Sequence, residues 1–388
     1  GKPGSRTQIE GTGLCVKADT RDDKPTLPNI PTQCALASDT WEMRIVPADD
    51  MDAAFAAMRA AIAEARTRLP HARLVADYTG GTKTMTAALV LAALESDVDL
   101  SLVTGSRGDL VRVADGTQAA ASASVERVRL ARAMQPYVDA WQRFAYAEAA
   151  AGLRGLPVPR DPALRPVRDR ARDLSAAFAA WDRFDHAAAQ KLLDLYAAVA
   201  APALGAWYAP LRRLAGEPSP KRTGLLIWDL WLNALRRAAD GRHDDAVART
   251  YRVIEWTAQW LLETRAGLRT ADLPAEIAAQ VGVAAGRDGR CQAGLWNAWQ
   301  LVAKRVGGAA AAFFGAQADT MRDHLKRRNE SILAHGFAPI GQGDWNLLHG
   351  WLETAFVPML REHLREAGVR ETFAQLPQAY PFGADISH

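Results

Sequence analysis

Leu74-Val75-Ala76-Asp77-Tyr78-Thr79-Gly80-Gly81-Thr82-Lys83-Thr84-Met85 is the stretch on which the reading of the first part of the chain turns. Leu74 to Ala76 is a short apolar run, and Thr84 to Leu94 is rich in Ala and Leu without Pro or Gly. Thr79 to Lys83 therefore sits where a strand hands over to a helix. Two glycines let a backbone approach an oxyanion closely, a helix N-terminus offers free N–H groups and the positive end of its dipole, and Lys83 adds a full charge. A phosphate suits such a turn. The spacing matches neither a Walker loop nor a dinucleotide fingerprint, and by its residues alone a tight turn with a helix cap stands beside the anion-binding reading.

Working outward, residues 1 to 40 are rich in Gly, Pro, Thr and Asp and read as irregular, whereas Trp41-Glu42-Met43-Arg44-Ile45-Val46 alternates like a strand. Asp49 and Asp50 precede an amphipathic helix from Met51 to Thr67, with Asp50 the better cap. A strand from Arg73 to Ala76, the glycine turn, a helix from Thr82 to Leu94 and a strand from Asp99 to Val103 follow, which predicts parallel pairing through a right-handed crossover. Val111-Arg112-Val113 is a candidate edge strand.

From about Ala119 onward the pattern is helical. Ala/Leu/Trp/Arg stretches run over 122–153, 167–181, 186–198, 221–239, 243–264, 293–306, 319–335 and 344–366, broken by Pro or Gly, as in an all-α bundle. The Pro-rich piece Leu156 to Pro166 is the best boundary. The pairs Trp228/Trp231 and Trp256/Trp260 fall at helical spacing and read as core.

At 388 residues, 49% of them hydrophobic, the chain is long and apolar enough for two cores. Lys and Arg number 47 against 44 Asp and Glu, so no global basic field announces nucleic acid and any anion site must be local. Cys15, Cys34 and Cys291 lack pair spacing and a metal-ligand pattern, which fits a reducing cytoplasm and argues against zinc or a disulfide framework. No 18-residue apolar run and no apolar signal core is present, so the expectation is a cytoplasmic protein without a membrane partner. The chain starts at Gly1 rather than Met, which reads as a tag remnant or a truncated beginning.

The second chemical signal is Arg328-Asn329-Glu330-Ser331-Ile332-Leu333-Ala334-His335. On a continuous helix, Arg328 and His335 leave the same face two turns apart, with about 10.5 Å of axial separation. One helix cannot close them on one phosphate, but two copies packed about a two-fold axis would bring Arg328 of each toward His335 of the other. By spacing alone, an exposed basic helix end is the favoured reading, because Lys326, Arg327 and Arg328 form a run and Gly336 follows.

With both motifs present in this order, the chain resembles the CARF-HEPN ancillary ribonucleases of type III CRISPR systems, in which a Rossmann-like CARF domain senses a cyclic oligoadenylate and a helical HEPN domain cuts RNA. Tyr78 to Met85 looks like the family's ligand turn and Thr104-Gly105-Ser106-Arg107 like its next strand-end loop. Asp229-Leu230-Trp231-Leu232-Asn233-Ala234 and Ala246 to Glu255 are similar to its helical-domain stretches, and Arg328-Asn329 through His335-Gly336 to the HEPN Arg-x4-6-His signature. One departure stands out. Residues 1 to 40 do not show the strand and small-residue loop that open a CARF sheet, so the beginning is either missing or rearranged.

The resemblance implies an α/β plus all-α fold: a CARF-like sensor with a parallel sheet core over residues 1–118, a helical linker over 119–166 and a helical HEPN domain over 167–388. It implies a homodimer acting on single-stranded RNA, no cofactor or metal, and cyclic oligoadenylate as allosteric activator. His335 would be general acid or base, Arg328 would hold the phosphate and stabilise its extra charge, and Asn329 would orient the two. Thr79, Gly80, Gly81, Thr82 and Lys83 would hold the activator, with Arg107 as a further contact. Three other readings stay open: a non-catalytic sensor or regulator, a toxin-like HEPN ribonuclease sensing another nucleotide, and a nuclease that also takes DNA.

Overall fold

The computed structural model describes residues 9–10, 28–96, 98–105, 117, 119–332, 336–370 and 372–382. The expected edge strand Val111 to Val113 lies outside them. The chain divides into two compact units, Gly1–Val125 and Glu126–His388.

The first unit contains α1 (Ile30–Gln33), α2 (Met51–Arg68), β1 (Val75–Asp77), α3 (Lys83–Glu95), β2 (Asp99–Thr104) and β3 (Ala119–Ala123). Local chemistry sets the helix starts. The Asp50 carboxylate accepts the Ala53 amide and the Thr82 hydroxyl accepts the Met85 amide, each supplying a partner to a first-turn donor that has none within the helix. The strand–helix–strand pattern gives the expected parallel pair, with Val75 opposite Asp99 and Asp77 opposite Ser101. Leu100, Val98, Ala93 and Ala76 form the small core, joined by Ile62 from α2 and Leu89 and Val90 from α3.

Two expectations fail here. Trp41 to Val46 joins no sheet; instead Arg44 pairs with Glu64 at 2.7 Å and Glu42 with Arg68 at 3.0 Å, which ties the segment to α2 by side chains. Ala119-Ala120-Ala121-Ser122-Ala123, read as helical, is a strand antiparallel to β2, from Leu100 opposite Ala123 to Thr104 opposite Ala119. The sheet is therefore mixed, in the order β1-β2-β3. Backbone pairing with β2 overrides the helical preference of an Ala-rich run.

The second unit is helical: α4 (Glu126–Asp139), α5 (Tyr146–Gly155), α6 (Arg165–Asp182), α7 (His186–Asp194), α8 (Ala197–Ala215), α9 (Pro220–Ala239), α10 (His243–Ala266), α11 (Ala275–Ala279), α12 (Leu295–Arg305), α13 (Gly308–Asn329), α14 (Gln342–Trp351) and α15 (Val357–Glu366), the last two joined by a π-turn over Leu352–Phe356. The segment expected as a linker, 119–166, contributes α4 and α5 to this unit. Within it, Trp141, Tyr146 and Leu153 are buried in the same core as α6 and α9, and Trp141 meets the Tyr146 and Phe178 rings edge to face, which removes large aromatic surfaces from water. Trp228, Trp231 and Trp260 are buried as the helical spacing requires.

Asp229 to Ala234 on α9 is buried throughout. The Asp229 carboxylate accepts the Trp181 indole N–H at 3.1 Å and faces His186 Nε2 at 2.8 Å, while Arg236 Nε donates to Asp182 at 2.7 Å. These paired charges tie α6, α7 and α9 together inside the core. Among the described residues no helix is long and apolar enough to cross a membrane.

Candidate functional site

In the first unit the chain from Asp77 to Lys83 is held by its own side chains. Asp77 Oδ1 accepts the Thr79 amide at 3.0 Å, and Thr79 Oγ1 accepts the Val103 amide at 2.6 Å, so the turn is tied to β2 as well as to β1. Hydrogen bonds from the Thr79 hydroxyl, then from its amide, hold the Asp77 carboxyl below the usual carboxylate range. Thr82 Oγ1 donates to the Ala48 carbonyl while accepting the Met85 amide. Gly81 has φ +104°, a conformation that side chains rarely adopt, and a Cβ on Gly80 would meet nothing within 4 Å.

Both threonine hydroxyls thus have partners inside the protein. The groups left to meet a ligand are the Lys83 and Thr84 amides, which have no carbonyl one turn earlier, and the exposed Lys83 ammonium, the Met85 amide being taken by Thr82. Thr79, Gly80, Gly81, Thr82 and Lys83 are brought together as one turn at a helix N-terminus. Arg107 lies outside the described residues.

In the second unit, α13 ends at Asn329, with Glu330 as its C-cap, short of the helix end expected from the sequence. The chain turns back on itself instead. The Ser331 amide donates to the Arg328 carbonyl, the Gly336 amide to Ser331, and Ile332 and Ala338 are bonded at 3.0 Å. A Cβ on Gly336 would lie 1.8 Å from the Glu330 carbonyl oxygen, so this return needs a glycine, and its close approach is incompatible with another helical turn. The Ile340 amide donates to Asp244 at 3.1 Å, which anchors the returning chain to the start of α10. His335 lies outside the described residues.

Arg328 is half-buried in the last turn of α13, where the helix dipole favours a cation. Its guanidinium lies 4.3 Å from the centroid of the Tyr251 ring on α10, and Nη1 donates to the Asn329 side-chain oxygen at 3.2 Å. Burial raises the Tyr251 phenol pKa, against the opposing charge of Arg328. The neighbouring Arg327 reaches Asp344 at 3.5 Å. Arg328 and Asn329 are thus adjacent and bonded, on a site with one aromatic wall. Motif reading missed Tyr251, although it lies inside the Ala246 to Glu255 stretch, because nothing in the local sequence shows that α10 passes beneath the end of α13.

Among the described residues, no group of three or more His, Cys, Asp or Glu is placed to hold a metal ion. Cys34 is exposed and Cys291 buried, both as free thiols.

Residues 216–356 match the family described as the Csm6 HEPN domain. Among solved structures, the chain is similar to Enterococcus italicus Csm6 bound to cyclic hexa-2'-fluoro-hexa-dAMP, with a TM-score of 0.53 and 12% sequence identity, over 84% of this chain and 77% of that one. At that identity the similarity is one of fold. No curated protein matches the sequence. The matched region contains Arg328 and Asn329, and the unit before it carries the glycine turn at the end of a parallel strand. Over residues 216–356 the chain matches the Csm6 HEPN domain family, and as a whole its fold, a small sheet unit followed by a helical unit, is similar to that of Enterococcus italicus Csm6.

Proposed function

We propose that the protein is a single-stranded RNA endoribonuclease of type III CRISPR antiviral defence, switched on by a cyclic oligoadenylate and independent of metal ions. The observation that carries this reading is the Csm6 HEPN match over 216–356, which spans the whole Arg328 to His335 motif. The cyclic ligand of the Enterococcus italicus protein supports a cyclic oligoadenylate for the glycine turn here.

The chemistry is transesterification. The ribose 2′-OH loses its proton and its oxygen bonds to the adjacent phosphorus, while the bond from phosphorus to the 5′-oxygen breaks and that oxygen is protonated. The products are a 2′,3′-cyclic phosphate and a 5′-OH. Arg328 binds the phosphate oxygens and stabilises the charge that builds on them, a task suited to a permanently protonated fork. His335 carries one of the two proton transfers, since an imidazole titrates near neutrality, and Asn329 orients Arg328. The nucleophile is part of the substrate, so no metal-activated water is required.

A homodimer completes the site, and two Lys83-bearing turns share one cyclic ligand about the same axis. The ligand activates by binding the active arrangement more tightly than the idle one. The protein is placed in the cytoplasm, where both RNA and the signalling nucleotide are found.

The test is cleavage of labelled single-stranded RNA in excess EDTA, with and without cyclic tetra- or hexa-adenylate. Cutting that needs the activator, survives EDTA and leaves a cyclic phosphate is expected. A substrate with 2′-deoxyribose at the cut position should resist, and its efficient cleavage would remove the 2′-OH from the mechanism. Absence of any response to either ring would remove the regulatory reading.

A further inference from the structure

The end of α15 carries a second concentration of positive charge. Arg361, Arg365 and Arg370 line a cavity of ≈ 300 Å³, with Val369 and Thr372 completing its wall. All three arginines are exposed, and among the described residues no ion pair neutralises any of them. Glu366, on the same helix, is already engaged by Arg265 at 2.7 Å and by His363 at 2.9 Å.

The walls are fixed from behind. The Arg361 guanidinium lies 5.1 Å from the ring centroid of Trp228, which is 3% exposed and donates its indole N–H to the Phe373 carbonyl at 2.9 Å. The Val369 amide donates to the Leu364 carbonyl at 2.9 Å and closes the turn through Gly368 at φ +84°. Helix-dipole complementarity accounts for Arg365, in the last turn of α15. It does not account for Arg361 one turn earlier or for Arg370 beyond the end. Like charges one turn apart repel, so three unpaired forks around one cavity disfavour the empty state and favour an anion. Guanidinium forks match phosphate oxygens two at a time.

We propose that this cavity is a phosphate-binding subsite that grips the RNA backbone away from the cut, with Arg361, Arg365 and Arg370 as its cations and the Thr372 hydroxyl as a neutral donor. The choice of RNA rests on the ribonuclease reading above; a free phosphate or a mononucleotide carries the same chemistry, and the experiment separates the sources.

The measurement is fluorescence anisotropy of an end-labelled 2′-O-methyl oligonucleotide, which cannot be cut, titrated with the full chain at several salt concentrations. Arg365→Glu is expected to weaken binding by about 10-fold or more and to flatten the salt dependence, while Arg365→Lys loses less. Cleavage of a dinucleotide, whose single phosphate is the scissile one, should be unchanged in both variants, and an unchanged thermal midpoint reports an intact fold. The proposal is overturned if Arg365→Glu and the double variant Arg361→Gln/Arg370→Gln both bind the oligonucleotide as the wild type does. It is overturned equally if inorganic phosphate or AMP binds these arginines as tightly as the oligonucleotide. Binding that depends on the arginines, in a protein that cuts nothing, would instead leave this subsite standing and remove the ribonuclease reading.

Discussion

The Arg328 guanidinium carbon lies 4.3 Å from the centroid of the Tyr251 ring, so the side chain at the end of α13 rests on a residue of α10. A long cationic side chain at a helix end has many rotamers, and ordering it costs entropy at the moment of use. A ring beneath the fork removes part of that freedom in advance. Tyr251→Ala should therefore lower the cleavage rate by about 2- to 5-fold, corresponding to a cation–π contribution of roughly 0.5 to 1 kcal/mol. Tyr251→Phe keeps the ring and should cut nearly as fast as the wild type. Single-turnover rates at saturating activator measure this, and equal losses in both variants would point to the phenol OH rather than to the ring.

Arg328→Ala and His335→Ala should each abolish cutting while leaving the circular dichroism spectrum intact. A lost proton-transfer group costs on the order of 10²- to 10⁴-fold. Nuclease-free preparations of His335→Ala that cut at the wild-type rate would show that the proton transfer lies elsewhere.

Lys83→Ala should act on the activator and not on the chemistry, because Lys83 opens α3 in the first unit whereas Arg328 closes α13 in the second. Losing a charge-assisted phosphate contact costs about 1.5 to 3 kcal/mol, roughly 10- to 150-fold in the concentration needed for half-activation. The plateau rate should change far less. Titration with cyclic tetra- and hexa-adenylate reads both quantities, and an unchanged midpoint with a lower plateau would place Lys83 outside the sensor site.

His324 packs against Trp351 with ring centroids 5.0 Å apart, and burial, aided by the charge of Arg327, lowers its pKa below the ordinary 6.5. The unfolded chain then takes up the proton more readily than the folded one. Stability should fall as pH drops below about 6.5 toward the lower folded value and level off beneath it. Urea midpoints measured across that window for the wild type and for His324→Gln should differ in slope, the variant being flatter.

Arg236 is fully buried between Asp182 and Asp229. Arg236→Ala leaves the buried Asp229 carboxylate without its guanidinium, while Asp182 keeps Arg237 at 2.6 Å, and should destabilise the fold by about 3 to 5 kcal/mol. Chemical denaturation monitored by tryptophan fluorescence measures this directly.

Much of the architecture was legible in the sequence because its causes are local. Asp50 and Thr82 cap helices with side chains that reach amides three residues on, and the apolar run before the glycine turn, with the apolar helix after it, announces strand, turn and helix in order. The turn at Thr79 to Lys83 was visible for the same reason, as were the helical stretches that bury Trp228, Trp231 and Trp260.

What tertiary structure decided has causes far apart in the chain. Ala119 to Ala123 has the composition of a helix and becomes a strand only because β2 offers its edge, and Trp41 to Val46 alternates like a strand yet finds no strand to pair with. The helix carrying Arg328 stops at Asn329 because Gly336 returns against the Glu330 backbone. Tyr251 comes under Arg328, and Trp228 behind Arg361, only through helix packing. Capping and periodicity are read within a few residues of their cause, whereas strand pairing, chain return and side-chain meetings depend on contacts that exist only once the chain has folded.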